Sequence, residues 1–272
     1  MKMKIFLTLA VFLLTLLIYN YSQISKFYVN KPVFNSDKLK EPLRITQITD
    51  YHGNTLINID KLIKEVEKFN PHIIALTGDM IDHETEDIGR VLNLVQSLYE
   101  VNNNIFFVIG NHELRNGKGH EFISGLEKIG VTVLNDENTL FKLNENNISI
   151  VGLSFYASKE DYDLAMEGVR EDNFVLLLSH APNRPILYLS GLEDLILAGH
   201  THGGQVRLPI IGAIIAPGQG LFPRYDKGVF ELGKTILYID SGLGNSVFPI
   251  RFFNRVQISN ITIKPVGENN LE

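Results

Sequence analysis

Five short blocks of this 272-residue chain hold the side chains most capable of chemistry. They are Asp50-Tyr51-His52, Gly78-Asp79, Gly110-Asn111-His112-Glu113, Ser179-His180 and Gly199-His200-Thr201-His202-Gly203-Gly204. The donors on offer are carboxylate oxygens, imidazole nitrogens and one amide oxygen, with no sulfur. That mixture suits hard or borderline divalent ions: Mn2+, Zn2+ or Fe2+. Seven such donors exceed what one tetrahedral zinc takes, and they suffice for two ions if one carboxylate bridges. Two ions about 3.5–4 Å apart form a clamp for in-line displacement at phosphorus. The glycines fit this picture, because backbone beside a metal or phosphate must turn sharply and approach closely. Taken singly, Asp-x-His or Gly-Asp is common in loops. The ordered set of five is not.

Each block follows a strand-like run: Leu43–Ile48, Ile73–Leu76, Ile105–Ile109, Val175–Leu178 and Leu195–Ala198. Between the first three lie amphipathic helices. Ile59–Phe69 places Leu62, Ile63, Val66 and Phe69 on one face, and Pro71 ends it. Ile88–Leu98 turns Val91, Leu92, Val95 and Leu98 inward. Ile105–Ile109 is apolar throughout, as a strand buried on both faces must be. The second half is richer in strands. Thr139–Leu143 and Ile148–Leu153 predict a hairpin about an Asn-rich turn, and Val229–Leu232 and Ile236–Ile239 another about Gly233-Lys234. Gln257–Ile263 alternates and is expected to close a sheet edge. The order predicts an α/β domain with two mixed sheets packed together and helices outside. Ligands bind beyond the carboxyl ends of such strands. Blocks spread over about 150 positions of sequence should therefore meet at one cleft.

The ordered blocks resemble the calcineurin-like metallophosphoesterase superfamily, from about Arg44 to the last strand. Gly-His-Thr-His-Gly-Gly-Gln is similar to a branch of bacterial membrane-anchored or exported phosphodiesterases. Ser241-Gly242-Leu243-Gly244 and Pro249-Ile250-Arg251 point the same way. The resemblance implies a four-layer α/β/β/α sandwich with two mixed sheets. It implies a phosphodiesterase or pyrophosphatase, with a lipid-linked or cell-envelope substrate among the classes it suggests. By motif, Asp50, His52 and His202 would hold one metal and Asn111, His180 and His200 the other, with Asp79 as the bridge. His112, outside that set, would give a proton to the leaving oxygen. Asp82 is the candidate for orienting His112; a solvated turn carboxylate is the plainer reading. One departure matters: protein Ser/Thr phosphatases of the superfamily carry arginine directly after the second aspartate of this region, where this chain has His83. That argues against a phosphoprotein substrate and leaves room for a diester.

The bulk properties narrow the field further. A net charge of −6 offers no broad basic field for a nucleic-acid backbone, so a nuclease would need a local basic groove. The absence of cysteine excludes disulfides, thiolate ligands and cysteine lipidation. Lys2 and Lys4 precede an apolar run from Ile5 to Tyr19, which reads as an uncleaved signal anchor over residues 1–21. Its basic end would face the cytoplasm and the catalytic body the other side of the cell membrane. A cleaved export peptide is the alternative. A polar linker is expected over 22–41, the catalytic domain over 42–265 and a polar tail over 266–272. The apolar segment Leu208–Pro217, with Leu221 and Phe222, reads equally as a lip meeting lipid or as cover for the second sheet. A catalytically silent scaffold at the membrane is a further alternative, which the intact set of donors disfavours. Neither leaving group nor oligomeric state is readable from the chain.

Overall fold

The computed structural model describes residues 1–245 and 248–267; the expected tail over 266–272 therefore lies largely outside the described residues. The chain opens with helix α1 (Lys2–Ser25) and strands β1 (Tyr28–Asn30) and β2 (Val33–Ser36). The first βα repeats are β3 (Leu43–Ile48), α2 (Ile59–Phe69), β4 (Ile73–Leu76), α3 (Ile88–Val101) and β5 (Ile105–Val108). Helices α4 (Asn111–Arg115) and α5 (Gly119–Ile129) lead to β6 (Thr132–Leu134). The second half runs β7 (Glu137–Leu143), β8 (Asn146–Leu153), α6 (Lys159–Ala165), β9 (Phe174–Ser179), α7 (Asn183–Tyr188) and β10 (Leu195–Ala198). Two short ribbons follow: β11 (Arg207–Leu208) with β12 (Gly212–Ala213), and β13 (Ile215–Ala216) with β14 (Gly220–Leu221). The chain closes with β15 (Gly228–Leu232), β16 (Thr235–Ile239) and β17 (Gln257–Pro265).

Local chemistry sets the helix ends. The Asn58 side chain accepts from the Lys61 amide at the start of α2, and Asn70 ends the helix in the left-handed region. Asp87 caps α3 through the Arg90 amide. The strands form two mixed sheets, ordered β1-β17-β3-β4-β5-β6 and β15-β16-β10-β9-β8-β7. Alternation along each strand explains the layering. In β4, Ile73 and Ala75 enter the core between the sheets, whereas Ile74 and Leu76 meet Leu62 and Val66 of α2 and Val91 and Val95 of α3. In β9, Leu176 and Leu178 face the first sheet, and Val175 and Leu177 pack under Tyr162 and Ala165 of α6. Strands buried on both faces thus read as unbroken apolar runs. The architecture is the four-layer α/β/β/α sandwich.

Three details differ from the sequence reading. Residues 22–41 are not simply a linker, because α1 continues to Ser25 and β1 and β2 both pair with β17 in parallel. For that reason β17 lies inside its sheet, between β1 and β3, and does not close an edge. In α3 it is Leu94 that is buried with Val91, Val95 and Leu98, while Leu92 is half-buried.

Candidate metal centre

The five blocks meet beyond the carboxyl ends of β3, β4, β5, β9 and β10. Asp50, His52 and His202 bring one ligand atom each within 4.8 Å of one another, and so do Asp79, His180 and His200. In the first group His52 Nε2 is 3.3 Å from His202 Nε2, and His202 Nε2 is 3.5 Å from Asp50 Oδ1. In the second, His180 Nε2 lies 3.0 Å from Asp79 Oδ2 and 3.1 Å from His200 Nδ1. Asp79 links the groups, since its Oδ2 is also 3.9 Å from His52 Nε2. Asn111 immediately precedes the His112 amide, which donates to Asp79 Oδ1 at 2.8 Å. Asn111 Oδ1 is buried without a hydrogen-bond partner among the described residues. A buried amide oxygen left without a partner costs free energy in a metal-free interior. These residues fit a divalent cation.

The backbone carries strain at the same positions. Asp50, His52, Asp79, His200 and His202 all sit in the left-handed region, with φ between 48° and 69°. Such conformations are uncommon outside glycine and cluster where a site overrides local preference. Gly78, at φ 85°, precedes Asp79; a Cβ there would stand 2.7 Å from His180 Nδ1. At Gly110 a Cβ would collide with the Asp79 carboxylate.

Surrounding groups aim the donors. His180 Nδ1 is 2.8 Å from the Thr77 carbonyl, which only accepts. Nδ1 therefore carries the proton, and the Nε2 lone pair faces Asp79 when the ring is neutral. The Asp50 carboxylate accepts from Thr49 Oγ1 at 2.8 Å and from the His200 amide at 2.9 Å. Burial pushes the Asp50 carboxyl up. Burial acts the same way on Asp79, yet the imidazoles of His180, His52 and His112 hold that carboxyl far below its ordinary range. Against the pull of burial, Asp79 and Asp50 raise His180 to about 10. Burial, helped by His180, takes His200 down to about 3, and burial beside His52 keeps His202 neutral.

His112 stands at the rim, its Nε2 3.9 Å from Asp79 Oδ2. Its Nδ1 is 3.2 Å from Asp82 Oδ2 and 3.1 Å from the His83 amide. Asp82 also reaches His52 Nδ1 at 3.3 Å, although hydrogen-bond alignment is not met there. His83 is exposed and lies 2.8 Å from Asp82 Oδ1.

Two residues quoted in the sequence motifs, Glu113 and Arg251, take roles that only the structure gives. The buried Glu113 carboxylate accepts from the amides of Asp79 (2.9 Å), Met80 (2.7 Å), Ile81 (3.2 Å) and Gly110 (2.9 Å), locking two loops together. Its only sequence signal was its place in the Gly-Asn-His-Glu block. Arg251 is wholly buried behind His202, donating to the Ser241 carbonyl at 2.6 Å and the Gly244 carbonyl at 2.7 Å. A separate hollow, lined by Lys38, Glu193, Asp194 and Lys234, lies at the amino ends of β9, β10 and β16, away from the donors.

A four-layer sandwich gathering carboxylates, imidazoles and an amide oxygen at its strand ends is the architecture of a metal-dependent phosphoester hydrolase. The family model for calcineurin-like phosphoesterases matches residues 43–204, more than half of the chain, and the chain belongs to that family. It is 29% identical over 229 residues to the uncharacterized metallophosphoesterase YkuE of Bacillus subtilis, covering 81% of this chain and 79% of that protein. It is 31% identical over 239 residues to an uncharacterized metallophosphoesterase of Campylobacter jejuni, covering 83% of this chain but only 60% of its relative. Among solved structures, the NAD nucleotidase of Haemophilus influenzae superposes with a TM-score of 0.51 at 16% identity. That match covers 74% of this chain and 45% of the nucleotidase, and it shows the fold alone.

Proposed function

We propose that this chain is a membrane-tethered, dimetal phosphodiesterase or pyrophosphatase. The observation that carries this reading is the convergence of Asp and His donors from five strand ends at one cleft. Asp50, His52 and His202 would hold one ion and Asn111, His180 and His200 the other, with Asp79 available to both. Bound there, Mn2+, Zn2+ or Fe2+ would supply a nucleophile at neutral pH and offset charge on the phosphoryl oxygens. Glu113 keeps the Asp79 turn in its left-handed conformation, and the Thr77 carbonyl holds the His180 tautomer. His112 delivers a proton from Nε2 to the leaving oxygen, and Asp82 orients it through Nδ1. Although burial opposes it, Asp82 together with Asp79 raises the affinity of His112 for a proton, which suits a donor.

A lipid-linked or envelope diester is the substrate class favoured by the exposed apolar residues that follow His202. The tether is α1, a 24-residue helix long and apolar enough to cross a bilayer, with Lys2 and Lys4 at its amino end. The positive-inside rule puts the body, taken as 42–265, on the extracytoplasmic side. The test uses the full chain in detergent, stripped of metal and reloaded with Mn2+. Hydrolysis of bis-p-nitrophenyl phosphate is compared with that of the monoester. Diester turnover that requires metal and vanishes in Asp79→Asn is the expected result; faster monoester turnover, or none of either, sinks the proposal.

A further inference from the structure

We propose that the ribbons β11–β14 and the loop 248–253 form a second membrane contact, an apolar lip seated in the lipid surface from which α1 emerges. This rests on the tether reading above and adds where the body lies relative to that surface. In the ribbons, Ile210, Ile211, Ile215, Leu221 and Phe222 are each more than half exposed. From the loop, Phe248, Ile250 and Phe253 are equally bare. The two segments are one surface: the Phe252 amide donates to the Gln205 carbonyl at 3.0 Å, the Arg207 amide to the Phe252 carbonyl at 2.9 Å, and Ile210 shares a hollow with Phe253.

The occupant follows from what that surface adjoins. Tyr19, which ends the apolar run of α1, packs edge-on against Phe252 at 5.5 Å and Phe253 at 6.2 Å. Its hydroxyl accepts from the Phe253 amide at 3.1 Å. Asn20 donates to the Pro249 carbonyl and accepts from the Arg251 amide, both at 2.9 Å. No linker separates the anchor from the lip. The run from Ile5 to Tyr19 rises only about 22 Å, short of the roughly 30 Å hydrocarbon core, so the body has no slack to stand away. Tyr19 belongs at the headgroup level, and that places its aromatic partners there too.

Charge agrees. The chain carries −6 overall, yet residues 205–225 and 245–256 contain no Asp or Glu and four arginines, of which Arg224 and Arg255 are exposed. Among the described residues the one carboxylate seated against the ribbons, Asp226, is paired with Arg207 at 2.8 Å, so the exposed charge beside this apolar face is Arg224 and Arg255, which suits an anionic lipid surface. The lip also reaches the donors, because a hollow runs from His202 and Gly204 to Ile215 and Pro217. A headgroup entering there would keep its acyl chains in the membrane.

Because the chain lacks cysteine, single-cysteine probes report cleanly. Full-length Ile210→Cys, Phe222→Cys, Leu13→Cys and Leu140→Cys are each labelled with an environment-sensitive fluorophore. Leu13 lies on α1, and exposed Leu140 on β7, the sheet edge opposite β15. The proteins are reconstituted in phosphatidylcholine vesicles with a minority of phosphatidylglycerol. Blue-shifted emission and loss of intensity to nitroxide-bearing lipids are expected at 13, 210 and 222, with water-like emission at 140. Water-like signals at 210 and 222 with 13 in lipid would overturn the lip and leave the tether standing. Water-like signals at all positions would overturn both. Shielding at 210 and 222 that lipid nitroxides do not quench, and that grows with protein-to-lipid ratio, would assign the patch to a second copy and overturn the lip. None of these signals depends on hydrolysis.

Discussion

The Glu113 carboxylate accepts the Asp79 amide at 2.9 Å, so a side chain that is no ligand in the proposed set fixes the turn that presents its bridging carboxylate. Burial and the nearby Asp79 carboxylate push Glu113 up to about 7, against the four amides that favour its charge. In Glu113→Gln the new NH2 group must face amide donors, leaving buried groups unsatisfied at about 1–3 kcal/mol each. We expect folding stability to fall by a few kcal/mol and metal affinity by 10- to 100-fold. Thermal unfolding of the metal-free protein and calorimetric metal titration check this. Unchanged affinity would remove Glu113 from the site.

His112 separates proton delivery from metal binding. His112→Asn should retain both ions and lose on the order of 10²–10⁴ in rate on diesters with poor leaving groups. The loss should be far smaller with p-nitrophenolate, which leaves without a proton. Asp82→Asn should fall in the same direction by less. Equal losses on both leaving groups would refute the proton-donor role.

Metal removal should destabilise the fold. Ions that bind only the native state stabilise by about 4 kcal/mol at a thousandfold excess over Kd. Chelation should therefore lower Tm, and Mn2+ should restore it. Because the His180 proton must leave before Nε2 can bind a cation, affinity should weaken as pH falls. A Tm indifferent to chelator in protein known to be metal-loaded would contradict the site as drawn.

Away from the donors, Lys227 predicts an alkaline signature. Burial lowers its pKa from 10.5 to about 8, with the Nζ 5.1 Å over the Tyr28 ring. Between those values the unfolded chain binds more protons than the folded one, so stability rises with pH. Tyr28, raised by burial from 10.0 to about 12, acts oppositely above pH 10. Lys227 by itself should thus add about 2–3 kcal/mol of stability from pH 8 to 10, at 1.36 kcal/mol per unit, a rise that His180, raised to about 10, opposes in the metal-free protein. Lys227→Met should flatten that rise in denaturant titrations; an unaltered rise would assign it elsewhere.

Sequence alone determined the parts whose signals are local. Strands buried on both faces must be apolar throughout, so β4, β5, β9 and β10 were legible, and the blocks after β4, β5 and β10 carry glycine for their turns. Candidate donors at positions 50, 52, 79, 111, 180, 200 and 202 could therefore be proposed, and the meeting of the Asp and His members at one cleft inferred from strand direction. Only the tertiary structure decided the rest. β1 and β2, three and four residues long, are too short for alternation to register, and they exist because β17, held by β3 on one flank, leaves the other free for both to pair with in turn. The same pairing moved β17 from edge to interior. Glu113 and Arg251 read as ordinary charged residues until distant amides and carbonyls surround them. The apolar stretch after His202 had two meanings in sequence. Its exposure, and the contact of the adjoining Phe252 and Phe253 with Tyr19 across more than two hundred residues, are set by packing that no local pattern encodes.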